Sequence, residues 1–170
     1  MEYLAITDLN RQKINGFIRD HWFTTEMVIL GEIVDMTVVE GIAAMDGDEI
    51  VGLITYRVSG DTCEITSLDS LGEGQGIGTA LLKQVIALAK EKNCLKVSLI
   101  TTNDNIHAIQ FYQKRGFDLV RLHKDSIQQA RVLKPEIPLI GQNGIPIKDE
   151  LEFELLLSNH LVEAKKRLYT

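Results

Sequence analysis

Four glycines in seven residues, "GEGQGIG" at positions 72 to 78, stand directly before a run of helix formers, "TALLKQVIALAKEK". Glycine is the costliest residue to order, and a turn needs only one or two. Four at the mouth of a helix point to a backbone that takes positive φ and lies close to a ligand. The first N–H groups of a helix have no intrahelical carbonyl, and the positive end of its dipole lies there, so a phosphate is the favoured occupant. A tight strand-to-helix turn is the competing explanation. Counting excludes two phosphate loops. GxxxxGK[ST] fails because no glycine has a Gly-Lys pair five positions on, and GxGxxG fails because Ile77 and Thr79 stand where its third glycine belongs.

The flanking pattern places this loop inside an α/β fold. "YLAI" from Tyr3 reads as a first strand. Asp8 or Asn10 is suited to cap a helix through "RQKINGFIRDHW", with Ile14, Phe17, Ile18 and Trp22 on one face. "TTEMVILGEIVDMTVVE" is ambiguous between helix and loop. "GIAAM", "IVGLITYRV" and "TCEITSLDS", separated by the turns "DGDE" and "SGD", read as an antiparallel meander. A helix from Ile77 to Lys92 follows, with Ile77, Leu81, Val85 and Leu88 at helical spacing and Asn93 as its stop. Then comes the strand "KVSLIT", so that Thr62–Asp69, the helix and Lys96–Thr101 form a right-handed β-α-β crossover with parallel strands. "NIHAIQFYQKR" is a shorter helix closed by Gly116, with Lys114 and Arg115 in its last turn, and Phe117 to Leu122 returns as a strand. "SIQQARVLK" reads as a helix in the long segment from His123 to Leu151, "ELEFELLL" as a last strand, and "NHLVEAKKRLYT" as a terminal helix. The expected fold is α/β: a mixed central sheet, antiparallel at first and parallel in the middle, flanked by helices in a single domain spanning residues 1–170.

Charge narrows the partners. A net charge of −6 and a pI near 5.2 argue against nucleic acid or an anionic membrane, both of which demand a basic face, and are compatible with a cationic substrate. Cys63 and Cys94 form no CxxC pair, and no signal peptide or spanning apolar run is visible, so the expectation is a cytoplasmic chain with free thiols. His21, His107, His123 and His160 show no metal-ligand spacing, and no metal is expected.

The motif "NIHAIQFYQKRGF" at 105 to 117, taken with "GQGIGTALL", resembles the GCN5-related N-acetyltransferase (GNAT) family. The family's R/Q-x-x-G-x-G/A falls on "EGQGIG", Glu73 to Gly78, and its N-x-x-A-x-x-F-Y-x-x-x-G-F falls complete on Asn105, Ala108, Phe111, Tyr112, Gly116 and Phe117. The resemblance runs from the strand at Glu49 to about Phe117. It departs at Glu73, where the family usually carries arginine or glutamine; a carboxylate there repels a pyrophosphate unless it turns to solvent or meets a lysine, and Gln75 offers a compensating donor.

The resemblance implies acetyl-CoA as co-substrate. Backbone N–H groups of Gln75, Gly76, Ile77, Gly78, Thr79 and Ala80 would hold its pyrophosphate. The pantetheine arm would pair with backbone groups around Leu68 and Ser70 where two parallel strands splay, and Asn105 would donate to the arm, cap its helix, or do both. Amine acetylation needs a neutral amine, an oxyanion donor and a proton for the leaving thiolate. Leu68 N–H is the expected oxyanion donor, freed from the sheet by a bulge. Tyr112 is either the general acid, a phenol's ordinary pKa of about 10 lying close to a thiol's 8.5, or a packing partner of Phe111. Glu64 is either the base, directly or through water, or a solvent-facing strand carboxylate; it and Thr66 are expected on one face of the strand, Cys63 and Ile65 on the other. Glu32 and Asp35 either draw in a cationic amine or decorate a loop, and Trp22 either lines the acceptor pocket or packs. The expected function is acetyl transfer to a primary amine of a small molecule or peptide by direct transfer, with a homodimer as the assembly. A non-catalytic acyl-CoA sensor or interaction module on the same fold is the alternative.

Overall fold

A computed structural model describes residues 1–72 and 74–157; Glu73 and the tail from residue 158, where a terminal helix is expected, lie outside the described residues. In chain order the elements are β1 (Glu2–Ala5), α1 (Arg11–Trp22), β2 (Glu26–Ile29), β3 (Glu32–Asp35), β4 (Glu40–Asp46), β5 (Glu49–Ser59) and β6 (Thr62–Ser70). They continue with α2 (Ile77–Glu91), β7 (Lys96–Thr102), α3 (Ile106–Gln113), β8 (Asp118–His123), α4 (Ser126–Leu133) and β9 (Glu150–Leu156). Seven strands form a mixed sheet in the order β1-β4-β5-β6-β7-β9-β8, and β2 with β3 forms a separate two-stranded sheet. The chain divides into two compact units: Met1–Thr25, Asp35–Val97 and residues 156–157 in the first, Glu26–Val34 and Ser98–Leu155 in the second.

In the first unit the meander forms where alternation and turn residues place it. β1 pairs antiparallel with β4, β4 with β5 and β5 with β6. α2 buries Ile77, Leu81 and Val85 of the stripe its spacing predicts, together with Leu82 and Ala89, while Leu88 is half-buried. Burying side chains of this size stabilises by roughly 1.5–3 kcal/mol each. The helix comes close because β5 carries Gly52, where a Cβ would stand 2.6 Å from Ile77 Cγ2. Gly52→Ala would push α2 off the strand. Asn93 ends this region with φ 58°, the left-handed conformation that asparagine tolerates. Asn10 occupies the α1 cap position without capping: its Oδ1 accepts from Thr7 N at 2.8 Å and its Nδ2 donates to Ala5 O at 2.9 Å. The expected cap is thus replaced by a clamp on the β1–α1 loop.

In the second unit the middle of the ambiguous segment, Glu26–Val34, is neither helix nor loop. It is the hairpin β2–β3, turned at Leu30 and Gly31 with φ 48° and 76°. Two successive left-handed residues match the twist of a two-residue hairpin, a signal that a leucine in the first position conceals. β8 and β9 pair antiparallel, and β9, last in sequence, lies between β7 and β8. α4 fills part of the long segment after His123. Its residue Arg131 ties down the proline-rich stretch by donating to the carbonyls of Ile137, Pro138 and Ile147. Gly116 has φ 88° and closes α3.

Candidate active site

The glycine loop and the start of α2 belong to the first unit. Gly74 and Gly76 have φ of 75° and 77°, and a Cβ at either would meet nothing within 4 Å. Gly76 caps α2 with no side-chain bond, and Ala80 N donates to Gly76 O at 2.9 Å. The N–H groups of the first turn, ahead of Ala80, therefore precede the helical ladder. Ile77 and Gly78 are buried and Gln75 is exposed, so Ile77 has only its backbone to offer a ligand in front of the loop. Gln75 folds back over Gly72, where a Cβ would lie 2.8 Å from Gln75 Cδ. Open space, left-handed glycines and an uncapped fifteen-residue helix suit a pyrophosphate.

β6 leads into this loop. Its bulge lies at Thr66, because Thr55 pairs with Ser67 and Tyr56 with Ile65. Leu68 is in register with Ile54, so the expected bulge sits two residues earlier than the proposed oxyanion donor. Three buried hydroxyls hold it: Thr55 Oγ1 lies 2.7 Å from both Thr66 Oγ1 and Ser67 Oγ. The bulge also breaks the expected alternation, and Thr66 is buried with Cys63 and Ile65. Glu64 meets Arg57, its cross-strand neighbour, in an ion pair. Ser70 ends the strand, its hydroxyl 3.4 Å from Gly72 O.

Asp69, next to Leu68 on β6, is a residue that no sequence pattern singles out. Trp22 Nε1 donates to Asp69 Oδ2 at 3.1 Å, across 47 positions of sequence. Burial pushes this carboxyl up to about 6, against the opposing pull of the Trp22 bond and of His21. No local pattern announces such a pair, and Trp22 has a polar partner rather than a purely packing role. Cys63 and Cys94 are buried and unpaired as disulfides, and burial raises the Cys63 thiol to about 12. A thiol so placed is a poor nucleophile.

The second unit carries Asn105 and Tyr112 on α3. Asn105 Oδ1 accepts from Ala108 N at 3.1 Å, a helix cap that engages the oxygen and not the amide nitrogen. Tyr112 is buried, its ring edge-on to Phe111 at 5.1 Å and to Phe117 at 5.3 Å. Arg115 stacks 3.5 Å above the Phe111 ring and donates to Phe111 O. The two phenylalanines fix the direction of the phenol. Glu32 is exposed on β3. Asp35, also exposed, is spent on its own turn, where the Thr37 hydroxyl and N–H hold its carboxyl below the usual range. Among the described residues no group of three or more His, Cys, Asp or Glu is placed to hold a metal, and no helix is long and apolar enough to cross a membrane.

The family model described as the acetyltransferase (GNAT) family matches residues 12–117. The chain belongs to the GNAT acetyltransferase family. It is 45% identical over 151 residues to Bacillus subtilis (strain 168) YdhI, covering 88% of this chain and 94% of that protein. Two solved structures share its fold. A GNAT family acetyltransferase from Elizabethkingia anophelis with acetyl-CoA bound has a TM-score of 0.63 at 24% identity, over 92% of this chain and 97% of that one. A Bacillus subtilis acetyltransferase in complex with CoA has a TM-score of 0.62 at 22% identity, over the same shares.

Proposed function

We propose that this protein is an acetyl-CoA-dependent N-acetyltransferase acting on a primary amine of a small molecule or peptide. The carrying observation is the uncapped start of α2, entered through Gly74 and Gly76 in left-handed conformation with open space before both. Backbone N–H groups of Gly76 to Thr79 take the pyrophosphate, since Ala80 N already donates to Gly76 O and Gln75 N to Gly72 O, and Gly74 and Gly76 keep the approach clear. Leu68, Ser70 and Asn105 hold the pantetheine arm. Bound acetyl-CoA supplies an acetyl thioester for direct attack by the amine. Leu68 N–H donates to the carbonyl oxygen as charge builds on it. The Tyr112 hydroxyl gives its proton to the departing sulfur. Glu64 takes the proton that the nitrogen loses, directly or through water, once its ion pair with Arg57 parts. Direct transfer is favoured over an acyl-enzyme because Cys63 is buried with a raised pKa and Cys94 is buried.

Calorimetric titration with acetyl-CoA, CoA and NADH tests the reading. The first two are expected to bind and the third not. Absence of acetyl-CoA binding would sink it and favour the interaction module, with Glu73 having spoiled the cradle. Tyr112→Phe is expected to lower turnover about 10²–10⁴-fold, the usual worth of a general acid, with acetyl-CoA affinity unchanged. An unchanged rate would remove Tyr112 from the acid role.

A further inference from the structure

The second unit holds a buried carboxylate for which the chemistry above has no use. Glu150, the first residue of β9, is 2% exposed. Its Oε1 accepts from Leu30 N at 3.0 Å, at the turn of the β2–β3 hairpin. Its Oε2 is buried and has no hydrogen-bond partner among the described residues. A buried polar atom left without a partner costs about 1–3 kcal/mol, and more when the group is charged. One oxygen suffices to latch the hairpin. No described residue supplies a donor for the other.

His123, Arg131, Lys134 and Lys148 are committed elsewhere. His123 pairs with Glu150 in the strand register, but its Nε2 lies 3.0 Å from Glu152 Oε2. Arg131 donates to backbone carbonyls, and Lys134 Nζ donates to Glu26 O. Lys148, more than half exposed, sits 3.8 Å from Asp149 Oδ2. Asp149 is buried beside Glu150 in sequence, and its Oδ1 accepts from Asp125 N.

A second unmet group lies in the same unit. The first turn of α4 is hung on the residues before β9, with Ile127 N donating to Lys148 O and Asp125 N to Asp149. Between those two anchors stands Ser126, whose Oγ is buried without a partner. A carboxylate oxygen withdrawn from water and left unmet is the recognition chemistry of an ammonium group. Its N–H donors and positive charge answer a buried anion better than a neutral hydroxyl does. The net charge of −6 favours the approach of such a cation.

We propose that Glu150 Oε2 is the docking group for an alkylammonium group of the acceptor. This rests on the acetyltransferase reading and names its substrate class: amines that bind as cations. Glu150 is a specificity residue on this account, not the base.

Glu150→Gln is the discriminating variant. It keeps an oxygen for Leu30 N–H and sets an amide donor where Oε2 stands. With n-butylamine, putrescine and spermidine as probes, the wild-type protein is expected to gain thermal stability with at least one amine, with or without CoA. The variant is expected to lose that gain. Its KM for the amine should rise about tenfold or more, as for a broken charge-assisted contact, while its affinity for acetyl-CoA stays within about twofold. An unchanged amine KM in Glu150→Gln would overturn the proposal, because the carboxylate would then be only a hairpin latch or the seat of an internal water. So would a wild-type melting temperature indifferent to all three amines, a measurement that needs no variant to fold. Failure of wild-type protein to bind acetyl-CoA would overturn the acetyltransferase reading instead, and the amine-dependent melt without CoA would still report on Glu150.

Discussion

Two helix starts in this chain are built in opposite ways. α2 begins at Gly76, which has no side chain to spend on the first turn, and open space lies in front of it. α3 begins at Asn105, whose own oxygen satisfies Ala108 N. A capped start has used part of its hydrogen-bonding capacity; an uncapped one keeps it for a ligand. The first therefore keeps its backbone donors unspent, and the second is a side-chain anchor from which Tyr112 projects two turns later. The difference also decides what a substitution can do at each place.

The largest effect is expected where charge is put into the uncapped start. Gly76→Asp sets a carboxylate against the pyrophosphate, and like charges in close contact cost several kcal/mol, so acetyl-CoA affinity should fall about a hundredfold or more in a calorimetric titration. Part of that loss is backbone strain, since φ 77° costs an L-residue about 1–2 kcal/mol. Gly76→Asn tests strain without charge, because asparagine tolerates this conformation. It should keep most of the affinity. Equal losses in the two variants would mean that the left-handed backbone matters and the anion does not.

A smaller effect sharpens the comparison from the strand that feeds α2. Asp69 is the half-buried carboxyl there, raised from its ordinary 3.8 to about 6 with desolvation as the main cause. An acid whose folded pKa is raised binds its proton more tightly folded than unfolded. Its contribution to stability is therefore full below about 3.8 and is lost as pH rises through about 6. The shift corresponds to about 2–3 kcal/mol. Asp69→Asn removes the charge and keeps an acceptor for Trp22 Nε1. Urea denaturation should show the variant more stable than wild type at pH 7.5 by up to that amount, and nearly equal to it below pH 4. A difference that does not change with pH would show that the carboxyl is not held against its charge.

α2 and α3 are legible in the sequence because both are written locally: apolar residues at helical spacing, glycines before one, asparagine before the other. The meander is legible for the same reason, through Asp46-Gly47 and Gly60-Asp61. What stays hidden depends on partners distant in sequence. Trp22 and Asp69 are 47 positions apart, and Leu30 and Glu150 are 120 apart, so no window of sequence contains either pair. The β2–β3 hairpin is obscured because Leu30 takes a left-handed conformation that usually signals asparagine or glycine. The oxyanion role alone would put the bulge at Leu68, whereas packing of the Thr55, Thr66 and Ser67 hydroxyls sets it at Thr66.

The capped start carries the smallest prediction, and it divides one residue's two tasks. Asn105→Ala removes the cap, worth about 1 kcal/mol, and should lower the melting temperature by about 2–4 °C. Asn105→Asp keeps an oxygen for Ala108 N and should hold the melting temperature, yet it lacks the amide donor proposed to reach pantetheine. If that donor matters, acetyl-CoA affinity falls several-fold in both variants, as a lost hydrogen bond predicts, while only the alanine protein melts early. If the aspartate protein binds acetyl-CoA as wild type does, Asn105 is a cap alone. The contrast between the two helix starts would then be complete, one wholly structural and one wholly given to the ligand.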